Sequence, residues 1–250
     1  MHGIVRIAAA GDIHCRPEDR GRIRAEFAEL RGTTDLVLLA GDLTTHGDPV
    51  QAAVLCEACA DLDAPVVVVL GNHDWHCDRA DEVMTVLREG GITVLDRSYC
   101  VTKVGDEVEV AVVGAKGFVG GFPGSHLPDF GEPLLRAVYR DTSADVEALD
   151  AGLREVALCP VRIVLLHYAP TDATLVGEPA GIWPFLGTDR LAAPIAEHEP
   201  DLVPHGHAHA GSFEGSIGEV PVRNVSLPVL QQPFWRFDLQ VAERAPTPIH

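Results

Sequence analysis

The chain has 250 residues, with 19 Lys and Arg against 37 Asp and Glu, a formal net charge of −18. That excess argues against broad binding to nucleic acid or anionic membrane, because like charges repel, yet it leaves room for a small electropositive site. At 46% hydrophobic and 22% charged residues, the composition is that of a chain able to bury a core, not of a disordered one.

The first six residues show no basic segment leading into an apolar one, so no signal peptide is expected and a cytoplasmic location is. Apolar residues run over 4–10, and a Gly-Asp follows immediately. Residues 20–31 have helical character. A second apolar run at 35–40 again ends in Gly-Asp, and residues 49–62 read as a helix with Asp48 as cap and Pro49 in its first turn. The third run, 65–70, leads into Gly-Asn, followed by a helix over 79–89 and a strand over 92–95. A strand at 108–114 precedes a stretch, 116–133, with five glycines and three phenylalanines. Then come a helix at 143–157, a strand at 162–166, a helix at 191–197 and a strand at 201–203. Residues 212–241 alternate short strands with turns and are expected to form hairpins. Apolar runs of four to six residues separated by helices predict an α/β layered fold with buried strands. One domain over residues 1–244, with a flexible tail at 245–250, is the simplest organisation.

The six cysteines lie at positions 15, 56, 59, 77, 100 and 159. Without an export signal they are expected to be reduced. Cys56 and Cys59 have CxxC spacing inside a helix but no second pair, so they are read as buried and inert. The longest apolar run is far short of the roughly 20 residues of a membrane helix.

Polar residues cluster where the apolar runs end. The clusters are Gly11-Asp12-Ile13-His14, Gly41-Asp42, Gly71-Asn72-His73-Asp74, His167 and Gly206-His207-Ala208-His209. Ligands of open α/β sheets bind beyond the carboxyl ends of strands, so these five ends mark a site. Asp12 and His14, two apart on extended chain, would point the same way, and His207 and His209 would repeat the device. Glycines before the polar residues would allow close backbone approach.

These motifs, GDIH, GD, GNHD, VLLH and GHAH, span residues 11–209 and resemble those of the calcineurin-like metallophosphoesterase superfamily. The resemblance implies a four-layered α/β/β/α sandwich of two mixed β-sheets. It also implies two divalent transition-metal ions, Mn and/or Fe before Zn or Co, held by N and O donors. Asp12, His14, Asp42 and His209 would hold one ion, and Asp42, Asn72, His167 and His207 the other, with Asp42 shared. Two ions (+4) against Asp12 and Asp42 (−2) and a bridging hydroxide (−1) leave a centre of +1, suited to a phosphate oxyanion. The implied activity is hydrolysis of a small phosphodiester or phosphomonoester by that hydroxide. His73 would protonate the leaving group or stabilise the transition state, oriented by Asp74.

Further candidates lie beside the motifs. Arg16 and His46 are expected substrate contacts, whereas Cys15 is read as packing and His76 and His205 as surface or supporting residues. Thr45 stands where purple acid phosphatases carry a metal-binding Tyr, which argues against a ferric–phenolate site. Segments 116–133 and 168–187 would form the substrate pocket or close the core edge. A small phosphorylated substrate is the expected partner, without extended nucleic-acid or membrane binding; the oligomeric state is open. The alternatives within the same fold are a non-catalytic metal-binding scaffold, a nuclease or a protein phosphatase. Absence of a basic stripe counts against the nuclease, and the scarcity of arginine near the motifs against the protein phosphatase.

Overall fold

The computed structural model describes residues 3–105 and 108–241, so the tail expected at 245–250 lies outside the described residues. The first sheet holds β1 (Ile4–Ala10), β2 (Leu36–Ala40), β3 (Val66–Val69) and β4 (Thr93–Leu95), all parallel. Helices α1 (Arg20–Ala28), α2 (Pro49–Cys59) and α3 (Ala80–Glu89) connect them. Asp48 caps α2 as its sequence predicts, accepting from the Val50 amide at 3.0 Å.

The second sheet begins with β5 (Ser98–Val104), antiparallel to β6 (Val108–Gly114), which runs parallel to β7 (Val161–Leu165). Between β6 and β7 lies α4 (Pro133–Glu155), which starts ten residues earlier than expected. A short helical turn, α5 (Trp183–Leu186), and helix α6 (Ala192–His198) precede β8 (Val203–His205). Backbone bonds from Val164 to Leu202 and from Leu166 to Pro204, both 3.1 Å, attach β8 beside β7. The hairpin β9 (Glu214–Ile217) and β10 (Val220–Asn224) completes this sheet, with β10 parallel to β8. The expected tail of hairpins is thus only half right. After the turn α7 (Leu227–Leu230), β11 (Trp235–Gln240) crosses back to pair antiparallel with β1.

Three apolar layers follow from alternation along the strands. Ala8, Val37, Leu39, Val66 and Val68 face α1–α3. Ile7, Leu36, Leu38, Val67, Val110, Ile163 and Leu165 fill the space between the sheets. Ala111, Val113, Val164 and Val222 meet Leu149 and Leu153 of α4 and Ile195 of α6. The architecture is therefore α/β/β/α, with mixed sheets, as the family resemblance implies. Strands buried on both faces explain the continuous apolar runs. Cys59 is buried in the helix-side layer, with Cys56 packed against it. Among the described residues no helix is long and apolar enough to cross a membrane.

Candidate metal centre

The parallel strands bring five carboxyl ends to one edge, where the two sheets touch. The Gly11 amide donates to Val225 at 2.8 Å, and Gly206 to His167 at 3.1 Å. Three groups of side chains converge there: Asp12, His14 and His209; His14, Asp42 and His73; and Asp42, His167 and His207. Within each group, candidate ligand atoms lie within 4.8 Å of one another. Asn72 joins them, its Oδ1 2.9 Å from His167 Nε2.

The local backbone differs from the expected extended pairs. Asp12, His14, Asp42 and His207 have φ of 59°, 49°, 49° and 69°, in the left-handed region. Asp and His tolerate this conformation better than most residues, but it stores strain, which folded proteins concentrate at functional sites. Asp12 and His14 therefore converge through a tight loop rather than by strand alternation. His207 and His209 do so around a turn in which Ala208 donates to Gly206 at 2.8 Å. Two glycines permit the approach. A Cβ on Gly71 would strike the Asp42 carboxylate, and one on Gly206 would strike Asp12 Oδ2.

Ring orientation is set from behind. His167 Nδ1 meets the Ala40 carbonyl at 2.8 Å, and His207 Nε2 meets the Phe185 carbonyl at 3.2 Å. A carbonyl only accepts, so each ring donates there and turns its other nitrogen toward the site. His167 Nε2 then faces two oxygen acceptors, Asn72 Oδ1 at 2.9 Å and Asp42 Oδ1 at 3.4 Å. His167 is fully buried and Asp42 nearly so. Nitrogen and oxygen donors crowded at one buried point suit a cation, and His14 Nδ1 is buried there without a hydrogen-bond partner. The residues present therefore fit a metal site of N and O donors.

Electrostatics agree. Burial pushes His207 down to about 3 and draws His14 below the ordinary histidine value, which keeps both rings neutral. Burial would raise Asp12, but its hydrogen bond with His209, helped by the charge of His209 and the His207 amide, holds the carboxyl low. The same bond, 2.8 Å, raises His209.

His73 and Asp74 occupy a turn after β3, but Asp74 does not orient the His73 ring. Its oxygens accept from the amides of Gly71 (2.8 Å), Leu43 (3.2 Å) and Thr44 (2.8 Å) and from the Thr44 hydroxyl (2.6 Å). Asp74 therefore clamps two site loops together. His73 Nδ1 meets the Thr45 carbonyl at 2.9 Å instead, leaving Nε2 3.9 Å from Asp42 Oδ2.

His46 is not among the three converging groups. Arg16 is exposed and pairs with Asp19 at 2.8 Å, a local contact that draws it away. His46 is also exposed, and its ring stacks on His76, which in turn lies 4.2 Å from the His73 ring. His205 is fully buried behind the site, against the Gly206 carbonyl and Thr174 hydroxyl. Cys15 is buried too, and burial pushes its thiol up to about 12.

Segments 116–133 and 168–187 are hydrogen-bonded to each other, through Gly120 to Pro184 at 3.1 Å and Gly121 to Gly187 at 2.9 Å. Phe122 closes a small core there with Leu175 and Leu186. Beside the centre, Asn72, Trp75, Arg97, Lys116, Phe118 and Tyr168 line a cleft of about 430 Å³, together with three aspartates. The sequence had singled out only Asn72 and Phe118 of these side chains. Lys116 lies two residues past the end of β6, a strand pointing at the site edge, a signal available in the sequence.

Residues 5–211 match the calcineurin-like phosphoesterases. The chain belongs to that family. No curated protein matches the sequence. Among solved structures, the fold is similar to the TT1561 protein of Thermus thermophilus, with TM-score 0.59 and 16% identity over 94% of this chain and 99% of that one. It is also similar to GAP50, the anchor in the inner membrane complex of Plasmodium, with TM-score 0.56 and 12% identity over 90% and 72%. A hypothetical protein of Thermus thermophilus has TM-score 0.52 and 18% identity over 88% and 75%. At these identities the structural likeness speaks for the fold, and the sequence match for the family.

Proposed function

We propose that this family member is a dinuclear metal-dependent phosphoesterase that hydrolyses a small phosphate ester. The observation that carries the reading is the convergence of His167 Nε2, Asn72 Oδ1 and Asp42 Oδ1 at one buried point. Asp12, His14, Asp42 and His209 would hold one ion, and Asp42, Asn72, His167 and His207 the other. Two bound ions would polarise the phosphate and lower the pKa of an attacking water. The protein's own part is alignment: Ala40 and Phe185 carbonyls fix two imidazoles, and Asp12 accepts the His207 amide at 3.0 Å. His73 keeps a proton on Nδ1 for Thr45, so a proton passed to the departing alkoxide leaves from Nε2. The shared apolar layer between the sheets supports reading the described residues as one domain.

Purified protein reconstituted with Mn²⁺ should retain close to two metal equivalents and hydrolyse bis(p-nitrophenyl) phosphate. Absence of both would favour the scaffold alternative, and metal without hydrolysis would assign binding alone.

A further inference from the structure

The cleft beside Asn72 holds two cations that differ in how far they are committed. Arg97 is committed to carboxylates: its Nε meets Asp145 Oδ1 at 2.6 Å, and a terminal nitrogen meets Asp141 Oδ1 at 2.6 Å and the Asp141 carbonyl at 3.0 Å. Those contacts engage Asp141 and one oxygen of Asp145, whose Oδ2 stays buried without a hydrogen-bond partner; the third aspartate lining the cleft, Asp96, is exposed. Lys116 has none of this. Among the described residues its ammonium makes a hydrogen bond only to the Gly117 carbonyl, at 3.0 Å. It otherwise sits against the faces of Phe118, at 4.1 Å, and Tyr168, at 5.0 Å. An ammonium has three donors and no acceptor, so two N–H groups here lack a polar partner from the chain.

Its position is rigid relative to the metal centre. The amides of His167 and Tyr168 both donate to the Lys116 carbonyl at 3.0 Å. The backbone that places a metal donor thus also places the lysine. Asn72 is the one candidate metal donor that lines the cleft, so the centre lies at one end of it. An ester with its phosphate at the centre would extend its alcohol portion past Asn72 toward Lys116. A volume of about 430 Å³ suits a small metabolite rather than a lone phosphate.

We propose that the Lys116 ammonium binds a second anionic group, a phosphate or a carboxylate, on the alcohol portion of the substrate, and so selects doubly anionic phosphate esters. This rests on the phosphoesterase reading for the location of the first phosphate. A charge-assisted hydrogen bond of this kind gives about a tenfold preference or more.

The test uses the full chain loaded with Mn²⁺ and two matched pairs. Glucose 1-phosphate against glucose 1,6-bisphosphate adds a phosphate, and glycerol 2-phosphate against 2-phosphoglycerate replaces a hydroxymethyl group with a carboxylate. Phosphate release gives kcat/KM, and calorimetry gives Kd for the same four compounds. The native protein should favour the doubly anionic member of at least one pair about tenfold or more. Lys116→Met should collapse that ratio, whereas Lys116→Arg should keep most of it; a merely structural role would lower both members alike. Metal content and thermal unfolding check that each variant is folded, and the native ratio decides if one is not. Hydrolysis with no preference in either pair, or a preference that survives Lys116→Met, overturns the proposal while leaving the phosphoesterase reading intact. Selective, Lys116-dependent binding without hydrolysis does the reverse.

Discussion

The Nδ1 nitrogen of His73 lies 2.9 Å from the carbonyl oxygen of Thr45, the third residue after Asp42 on the neighbouring loop. The carbonyl can only accept, so Nδ1 keeps its proton and Nε2 faces the centre. General acid help of this kind is worth about 10²-fold or more. His73→Ala should therefore bind two metal equivalents while its rate on glycerol 2-phosphate, whose alkoxide is a poor leaving group, falls by at least that factor. Elemental analysis and steady-state kinetics on one preparation decide it. Loss of one equivalent would make His73 a ligand instead, an assignment its proximity to His14 and Asp42 permits.

Asp74 is expected to act on stability. It is fully buried, and all of its hydrogen bonds described above come from donors on the Asp42 loop or Gly71. In Asp74→Asn an NH₂ group must face backbone N–H groups, which costs about 1–3 kcal/mol per unsatisfied buried group. For a chain of this size each kcal/mol lowers Tm by about 2–4 °C. A drop of about 4 °C or more, with the pH profile of the surviving activity unchanged in shape, is the expected result. An unchanged Tm with a lost acidic or basic limb would return Asp74 to the role of orienting His73.

The sequence made the strand ends legible because strands buried on both faces leave uninterrupted apolar runs, and β1 spans the very residues 4–10 read from it. The less legible parts have physical causes. Strand β5 is half-exposed, with Tyr99 and Val101 facing solvent, so it lacks an apolar run. The first nine residues of α4 carry no buried side chain, and only Pro133 at its first turn announced it. Spacing cannot encode the positive φ of Asp12, His14 and His207, so the device that converges the donors was misread although the donors were named. Adjacency suggested that Asp74 serves His73. In the tight turn His73–Trp75, however, neighbouring side chains diverge, and the carboxylate goes to the other loop.

Gly71 should be irreplaceable for metal binding. A Cβ there would overlap Asp42 N and Oδ1 and lie 2.8 Å from Asp42 Cγ, so the carboxylate shared by both proposed sites must move. Gly71→Ala should raise the metal Kd about tenfold or more, the scale seen when support around a ligand is lost. Gly124→Ala provides the contrast: φ is +91° but nothing lies within 4 Å, so only a backbone penalty of about 1–2 kcal/mol is expected, without change in metal affinity. Competition against a chelator measures both. Native affinity in Gly71→Ala would mean that Asp42 can shift without consequence and is not the shared ligand.

Metal uptake should release a proton from His209. Its hydrogen bond with Asp12 raises its pKa, burial opposing, so the metal-free protein holds a proton on this ring above the usual histidine value of about 6.5. The sign follows from the raised value. The protonated pair stabilises the metal-free fold fully below about pH 6.5, and that contribution is lost as pH rises through the folded pKa of His209. A metal ligand must be neutral, so ions compete with this proton and their affinity should rise with pH across the same window. His207, pushed down to about 3, has no proton to displace there. Calorimetric Mn²⁺ titrations in buffers of differing ionisation enthalpy, at about pH 6 and about pH 9, read the difference directly. About one more proton should be released at the lower pH, since a proton lost by a bound water contributes at both. Equal release at both pH values would place His209 outside the metal site.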